Sequence, residues 1–392
     1  MSHPLSATPV ISRGLTLAMA LAAGIAVANI YYNQPMLGIM EQDLGNTQIT
    51  GLIPTVTQLG YAAGLFLLVP LGDLMDKRKL IVCQFMLLAL ALILVAIAPS
   101  ASVVVVASLA MGICATVVQQ VVPFAAALAA PASRGKTMGT VMAGVLCGIL
   151  LSRTLAGFVA TAWGWRDMFW LAAPLAIAMA LMMSLLLPRN YPRVTMSYGT
   201  ALTSLTSLWK QERPLRFATM IQASLFASFS AFWTVLSLHL QEPRYHLGAN
   251  IAGLFGIIGA VGVIAAPIAG RIADRRGPAL VISASAVLSL LSWLIFDFWG
   301  ALPGLIVGVI ILDFGIQSAL VSNQHVVFAL NPEARSRLNT VFMTGMFLGG
   351  AVGSAGATFF WNLAGWPAVC GFGIVFSVIA LILVSFSRAP QN

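Results

Sequence analysis

The chain has 392 residues, of which 59% are hydrophobic and only 8% charged, with a mean hydropathy of +0.95 and a net charge of +9. A soluble domain carries about 25% charged residues, so this chain has too few to cover a water-facing surface. Runs of about 20 apolar residues, each long enough to cross a bilayer core, recur along nearly its whole length. The composition therefore excludes an ordinary soluble protein and, because short alternating segments are missing, argues against a β-barrel.

Twelve apolar spans are predicted in chain order. They cover residues 14–40, 49–71, 80–98, 102–130, 137–161, 168–187, 216–240, 249–270, 279–297, 301–330, 338–360 and 368–387. The first is too long for the core of a signal peptide and further spans follow it, so it is interpreted as a transmembrane helix. The sequence thus predicts an all-α membrane protein with twelve transmembrane helices in a lipid bilayer. Its four cysteines lack the spacing of a metal or redox site, and we expect no metal and no cofactor.

The basic residues fall almost entirely on one side of these predicted helices. With twelve spans both chain ends lie on the same side, and 17 of the 20 Lys and Arg residues fall there. The other side holds Arg166 and Arg244, while Arg153 lies inside a span. Such a bias places the basic side in the cytoplasm, so we expect a bacterial inner-membrane protein with cytoplasmic N- and C-termini. The basic excess is a topology signal, and no nucleic-acid partner is expected.

The two halves of the chain repeat one another. "GDLMDKRK" (72–79) returns as "GRIADRRG" (270–277) 198 positions later, and "PASRGK" (131–136) is matched by "PEARSR" (332–337) 201 positions later. Repeats in the same order at nearly one offset predict two halves related by a pseudo-two-fold axis along the membrane normal. We expect an N-terminal six-helix bundle at 1–187, a cytoplasmic linker at 188–215 and a C-terminal six-helix bundle at 216–392.

These repeated loops resemble the cytoplasmic loop of the major facilitator superfamily, which reads Gly-x-x-x-Asp-Arg-x-Gly-Arg-Arg. The first copy matches at Gly72, Asp76 and Lys77 and closes early with Arg78, and the second copy has Gly270, Asp274, Arg275 and Gly277. By resemblance, both clusters would latch the cytoplasmic side and open when the halves rock. The alternative is that their bases only fix the topology.

Two further stretches, "NIYYNQPML" and "GWRDMF", are similar to the bacterial drug/proton antiporter branch of that superfamily. The branch often has an arginine in the fourth helix and a Gly-Pro pair in the fifth. This chain has Ser108 at the first position and Ser152-Arg153 at the second. Because both elements are associated with proton coupling in the family, coupling cannot be carried over from them.

Asp313 and Arg153 are the charged residues that lie away from the ends of predicted spans. At 1.5 Å per residue Asp313 lies about 16–18 Å deep and Arg153 about 12 Å deep. A carboxylate at that depth costs on the order of 3 kcal/mol, so we expect Asp313 to face a wet cavity, with Gln317 and Gln324 on the same helix face. We hypothesise that Asp313 and Arg153 face the same cavity and pair across the two halves in at least one state. Alternatively, Arg153 holds an anionic substrate or backbone carbonyls, and Asp313 only packs against polar groups.

Other polar and aromatic residues within the spans are weaker site candidates. In the first span Asn29, Tyr32 and Asn33 would share one helix face through their i+3 and i+4 spacing. The fourth span contributes Gln119 and Gln120, and the seventh contributes Trp233. Each of them is also compatible with a structural role. Together they predict a polar, aromatic site near the midplane of the membrane.

These features predict a secondary active transporter that moves a small organic molecule by alternating access, as a monomer. No phosphate-binding G-x-x-x-x-G-K-[ST] loop and no catalytic constellation is present, so a nucleotide-driven pump and an enzyme are not favoured. Resemblance to the antiporter branch implies proton-coupled efflux, with Asp313 as the protonation site. The first helix lacks the acid of many cation exporters, which favours a neutral or anionic substrate. The alternatives are symport or facilitated uptake of a metabolite using Arg153, and a transporter-like sensor.

Overall fold

The computed structural model describes residues 11–189, 197–259 and 261–387, which are helical throughout apart from short connections. The N-terminal part contains α1 (Arg13–Ala28), α2 (Asn33–Leu44), α3 (Thr47–Thr50), α4 (Ile53–Leu68), α5 (Leu71–Leu74), α6 (Lys77–Ala96), α7 (Ala101–Ala115), α8 (Val118–Leu128), α9 (Arg134–Ala162) and α10 (Trp165–Leu186). Helix α11 (Tyr198–Gln211) follows. The C-terminal part contains α12 (Arg213–Leu240), α13 (Ala249–Ile258), α14 (Val261–Arg276), α15 (Pro278–Phe298), α16 (Leu302–Leu330) and α17 (Arg335–Ser387), the last preceded by a 3-10 turn at Pro332–Ala334.

Ten helical segments in these described residues are long and apolar enough to cross a membrane. Helix α17 is 53 residues long and has non-helical backbone at Ala364 and Gly365, where φ is +68° at the glycine. Such a conformation suits glycine, which has no Cβ, and the kink divides α17 into two spans. Counting α17 as two and α13 with α14 as one further span gives twelve segments in the order predicted.

Several spans are interrupted, and prolines explain two of the breaks. Helix α1 ends at Ala28 and α2 begins at Asn33, two residues before Pro35. The ring of a proline clashes with the carbonyl four residues earlier and offers no N–H to it, so the helix cannot run unbroken through this stretch. In the same way α4 ends at Leu68, just before Pro70. These breaks change which side chains share a helix face.

The same close helix contact occurs once in each half and is built from glycines. Helix α1 packs on α9, where a Cβ added to Gly148 would lie 2.2 Å from the carbonyl oxygen of Gly24. Helix α12 packs on α17, where a Cβ on Gly353 would lie 2.0 Å from the carbonyl oxygen of Ala227. No side chain fits at such distances, so glycine is required for the backbones to approach. The two contacts join corresponding helices of the halves, as expected for a repeated bundle.

The halves contact one another most closely on one side of the molecule. We call the side where α1 begins and α17 ends the terminal side, and the opposite one the distal side. On the distal side α9 meets α13, and a Cβ on Gly157 would lie 2.3 Å from the carbonyl oxygen of Ala249. Towards the terminal side, a Cβ on Gly139 of α9 or on Gly270 of α14 would meet nothing within 4 Å. Neither of these glycines therefore takes part in a close helix contact.

Candidate functional site

Arg153 lies in the middle of α9, close to the boundary between the halves, and is 2% exposed. Its Nε donates a 2.9 Å hydrogen bond to Oε1 of Gln34 on α2. Its guanidinium carbon lies 4.1 Å from the ring centre of Trp233 on α12 and 4.5 Å from that of Tyr31. Its Nη2 has no hydrogen-bond partner among the described residues. The cation is held by one amide and two rings, and one donor nitrogen is spare.

Asp313 lies on α16 of the other half and is 5% exposed. Its Oδ2 has no hydrogen-bond partner in the described part of the chain. A Cβ on Gly259 would lie 3.2 Å from Asp313 Oδ1 and 3.3 Å from Trp233 Cζ2, so the carboxylate and the indole ring flank the same glycine. The carboxylate does not face an open cavity in this conformation, unlike the wet cavity expected from its depth.

Arg153 and Asp313 both lie next to Trp233. No direct ion pair joins them among the described residues in this conformation, and their pairing in another state stays a prediction. Trp233 contacts the guanidinium and also approaches the carboxylate across Gly259. Opposite charges from the two halves therefore lie in one buried cluster next to a single aromatic ring.

Aromatic rings continue from this cluster across the boundary between the halves. We call them the aromatic row, and they are Tyr31, Trp233, Phe229, Phe226, Phe347 and Tyr61. Successive ring centres lie 6.1 Å apart for Trp233 and Phe229, and 5.5 Å apart for Phe229 and Phe226. Phe226 lies 5.3 Å from Phe347, which lies 4.2 Å from Tyr61. The last contact joins α17 of one half to α4 of the other.

Two glutamines tie the halves together beside these rings. The main-chain oxygen of Gln34 accepts a 3.1 Å hydrogen bond from Ser237 Oγ on α12. On α4, Oε1 of Gln58 accepts one of 3.3 Å from Ser230. The sequence did not lead us to predict Gln34, Gln58 or Tyr31 as site residues. The available signal was the adjacency of Tyr31 and Gln34 to Tyr32 and Asn33 in "NIYYNQPML".

Two of the three candidates in the first span have hydrogen-bond partners within their own half. Asn29 Nδ2 donates to the carbonyl oxygens of Ile25 and Ala26 in its own helix, at 2.7 and 3.3 Å. Asn33 Nδ2 donates a 2.9 Å hydrogen bond to Thr57 Oγ1 within the same half, and Tyr32 is buried. The i+3 and i+4 argument assumed one continuous helix, and the break between α1 and α2 rotates the second part. Tyr31 and Gln34 reach Arg153 instead.

The two glutamines of the fourth span lie in different surroundings. Gln119 Nε2 donates a 3.3 Å hydrogen bond to the hydroxyl of Tyr61, at the end of the aromatic row. Gln120 Nε2 instead donates to the carbonyl oxygens of Leu68 and Val69, at 2.9 and 3.3 Å. Helix α4 ends at this point before a proline, so the carbonyl oxygen of Leu68 needs a donor, whereas that of Val69 also accepts a hydrogen bond from the Gly72 N–H. Gln120 therefore has structural partners in this conformation, and its role as a site residue stays a prediction.

The remaining candidates of the tenth span line one face of α16. Gln317 is half-buried, and a Cβ on Gly262 would lie 2.9 Å from its Cγ. Gln324 is half-buried two turns nearer the terminal side. The stripe predicted from Asp313 onward therefore runs from the buried cluster towards the terminal side.

The aspartate of the first loop motif caps the N-terminus of a helix. Asp76 is the N-cap of α6, and its Oδ1 accepts a 3.0 Å hydrogen bond from the main-chain N–H of Arg78. The Arg78 guanidinium donates to the carbonyl oxygen of Ser184 on α10. Lys77 Nζ lies 6.0 Å from the ring centre of Phe124. A Cβ on Gly72 would meet the side-chain oxygen of Gln120. These contacts all lie within the N-terminal half.

The second loop motif has similar residues and different contacts. Asp274 lies within α14 and is exposed, and its Oδ1 is 3.9 Å from Nδ1 of His325 on α16. The N-cap of the next helix is Gly277, with φ of +85°, and Arg275 lies exposed in the last turn of α14. The aspartate of the second copy does not cap a helix.

Comparison with known proteins places these features in a family. The family model described as Major Facilitator Superfamily matches residues 19–330 and 265–392. Over 375 residues, or 95% of each chain, the sequence is 37% identical to the uncharacterized transporter YgaY of Escherichia coli O157:H7. The chain belongs to the Major Facilitator Superfamily. As a member of this superfamily it is a multi-pass membrane transporter and not an enzyme, which confirms the predicted fold class and the general function.

Solved structures of other transporters share this major facilitator fold. One is a bacterial homolog to the human lysosomal transporter Spinster, in an inward-facing and unoccupied conformation. It has a TM-score of 0.75 and 15% sequence identity over 96% of both chains. Another is the nucleoside transporter NupG, with a TM-score of 0.73 and 14% identity, covering 95% of this chain and 98% of that one. At such identities the likeness concerns the fold alone.

Proposed function

We propose that this transporter exports a small organic molecule in exchange for protons, as a monomer in the bacterial inner membrane with both termini in the cytoplasm. The observation that carries the proposal is the buried cluster of Arg153 and Asp313. These opposite charges come from opposite halves, contact or approach the same indole ring, and each keep an unpaired polar atom. A charge pair placed across the moving boundary is a suitable coupling element.

The cost of burying charge provides the coupling. An uncompensated carboxylate near the centre of a membrane costs on the order of 3 kcal/mol, and that cost depends on how near Arg153 lies. When the halves rock, α9 and α16 move relative to one another. A proton on Asp313 removes its charge when Arg153 moves away. The protonation of Asp313 is thereby linked to the rocking of the halves, which couples proton movement to transport.

The proposed direction and orientation rest on other observations. The bias of Lys and Arg residues supports a cytoplasmic location of the terminal side. The halves are closed against each other on the distal side, at Gly157 and Gly253. A closed distal side is compatible with uptake of substrate from the cytoplasm, which export requires. The sequence likeness to the antiporter branch also favours export.

A second candidate is uptake of an anionic metabolite without exchange. Arg153 favours it, because its spare Nη2 and its aromatic neighbours form a ready binding place for an anion. In this case the Asp313 carboxylate pairs with Arg153 when no substrate is bound, and the substrate displaces it. The two candidates differ in direction and in their need for a proton gradient.

The test uses cells that express wild type or Asp313→Asn at equal membrane levels, grown on a panel of toxic compounds and metabolites. We expect wild type to lower the accumulation of at least one compound, a protonophore to abolish this effect, and Asp313→Asn to lack it. The matched control is Asp297→Asn, which changes an exposed aspartate near the distal end of α15. Raised accumulation with wild type supports uptake, and equal behaviour of Asp313→Asn and wild type contradicts the assigned role of Asp313.

A further inference from the structure

We propose that the substrate is an aromatic carboxylate, whose carboxylate binds Arg153 and whose ring lies against the aromatic row. This inference rests on the proposed transport site and adds the chemical class of its ligand. It is carried by the geometry around Arg153 and by the continuity of the rings from Trp233 to Tyr61.

Arg153 is the point of attachment for the carboxylate. Among the described residues it is the only buried Lys or Arg, and burying a cation requires compensation by an opposite charge or by hydrogen bonds. Here Gln34 supplies one neutral acceptor to Nε, and Nη2 has none. A planar guanidinium binds a carboxylate through two parallel N–H groups. Nη2 is thus a free donor for a ligand carboxylate, which would compete with Asp313 for the cation.

The rings supply the second half of the ligand. Tyr61 on α4 and Phe347 on α17 are in contact across the boundary between the halves. When the halves separate, each ring loses its partner and exposes a π-face. A ligand ring placed between them restores offset or edge-to-face contacts that a saturated ring cannot make, because those contacts depend on the aromatic quadrupole. An aromatic ligand would therefore bind at the position that opens when the halves separate.

A cationic aromatic ligand is the rival that the rings alone would suggest. Aromatic cages next to a carboxylate bind ammonium groups well, and Asp313 lies beside Trp233. However, the faces of Trp233 and Tyr31 are already in contact with the Arg153 cation, at 4.1 and 4.5 Å. A second cation there would be repelled by the first at short range. The occupied cage therefore favours an anion.

The experiment measures equilibrium binding to the purified full-length protein in detergent. Phenylacetate is compared with phenylacetamide, which lacks the charge, and with cyclohexylacetate, which lacks the aromatic ring. Indole-3-acetate and its amide form a second pair with a larger ring. We expect the acids to bind about 10- to 100-fold more tightly than the amides, as for a charge-assisted hydrogen bond. Phenylacetate should also bind several-fold more tightly than cyclohexylacetate.

Variants assign the two contacts separately. Arg153→Gln should remove the preference for the acid over the amide, and Arg153→Lys should retain part of it. Phe347→Leu, at one of the two rings between which the ligand ring would lie, should reduce the preference for phenylacetate over cyclohexylacetate while binding of the acid persists. Arg276→Gln, at an exposed position in the last turn of α14, should behave as wild type. Thermal unfolding without ligand is recorded for each variant, so that a folding defect is recognised.

Three outcomes would overturn the inference. These are equal binding of acid and amide by wild type, equal binding of the aromatic and saturated acids, and no binding of any aromatic acid at millimolar concentration. None of them depends on the direction of transport or on protons. If the aromatic acids bind and no proton-driven export occurs, the ligand class stands and the proposed export fails. If another compound is exported and the acids do not bind, only the ligand class fails.

Discussion

The guanidinium of Arg153 stacks on the indole ring of Trp233, with the guanidinium carbon 4.1 Å from the ring centre. The two side chains belong to α9 and α12, in opposite halves of the molecule. A desolvated cation–π contact contributes about 2 kcal/mol or more. Because alternating access moves the halves relative to one another, this contact holds them together in the present conformation and must be broken or rebuilt in another.

Replacing Trp233 by phenylalanine should therefore favour distal opening. Phenylalanine is a weaker cation–π partner than tryptophan, and a loss of about 1 kcal/mol would raise the distal-open population several-fold. The measurement is the distance distribution between spin labels at positions 42 and 241, which lie on α2 and just beyond α12 on the distal side. Trp163→Phe, at a tryptophan that is 73% exposed, is the control. An unchanged distribution in Trp233→Phe would show that the stacking does not hold the halves.

The distal side should be lockable by a short cross-link. Gln42 Nε2 and Gln241 Oε1 are 3.4 Å apart and join the two halves. We expect a short bismaleimide to link cysteines at these positions and to stop transport, because the distal side can then no longer open. The exposed native thiols of Cys83 and Cys147 are first replaced by serine. Each single-cysteine protein, treated alike, should stay active; full transport by the linked protein would contradict the role of distal opening.

A side chain at Gly157 should have the opposite effect to the cross-link. A Cβ there would lie 2.3 Å from the main-chain oxygen of Ala249, and backbone cannot move aside as a flexible side chain can. Gly157→Val should therefore wedge α9 from α13 and slow the cross-linking of positions 42 and 241 by about tenfold, as for a 1.4 kcal/mol change in closure. Gly139→Val, on the same helix where a Cβ meets nothing, is the matched control. Equal cross-linking rates would show that the contact at Gly157 is not limiting.

The two loop motifs should respond differently to the same substitution. Asp76 caps α6 through the Arg78 N–H, whereas Asp274 is exposed within α14. Losing an N-cap costs about 1 kcal/mol, so Asp76→Ala should lower thermal stability and Asp274→Ala should change it little. Asp76→Asn preserves an acceptor and should recover most of the loss. Equal destabilisation by the two alanine variants would indicate that Asp274 has a structural partner in the folded protein.

The sequence predicted the helical membrane fold and the repeat well, because span length, hydrophobicity and the offset of repeated motifs are local features. It also selected Arg153, Asp313 and Trp233, since a charge or a large aromatic residue within a span requires a reason. It did not predict their relative arrangement, which depends on helix rotation. The hypothesised ion pair is replaced in this conformation by stacking on Trp233 and a hydrogen bond to Gln34.

The candidates in the first and fourth spans show how helix breaks limit such predictions. Helix periodicity assigns faces correctly only while the helix is continuous, and α1 breaks before α2. Asn29 and Asn33 consequently satisfy local partners, and the neighbouring Tyr31 and Gln34 reach the cluster. Gln120 was predicted as a site residue from its place in a span, and its amide donates to carbonyl oxygens at the end of α4. The proline that ends α4 was visible in the sequence.

These contacts of Gln120 lead to a final prediction. Gln120→Leu removes the donor to the main-chain oxygens of Leu68 and Val69, and leaving a buried acceptor unpaired costs about 1–3 kcal/mol. We expect Gln120→Leu to lower the unfolding temperature and to leave ligand affinity unchanged in the folded fraction. Gln119→Leu removes the hydrogen bond to Tyr61, which ends the aromatic row. We expect it to lower ligand affinity and to leave the unfolding temperature unchanged.

Both variants are measured by thermal unfolding and by binding of the same ligand, so each protein serves as the control for the other. The two residues are neighbours in sequence and carry the same amide, and they differ only in what that amide contacts. A loss of affinity in Gln120→Leu at unchanged stability would place Gln120 in the binding site. It would also imply that the end of α4 moves when ligand binds.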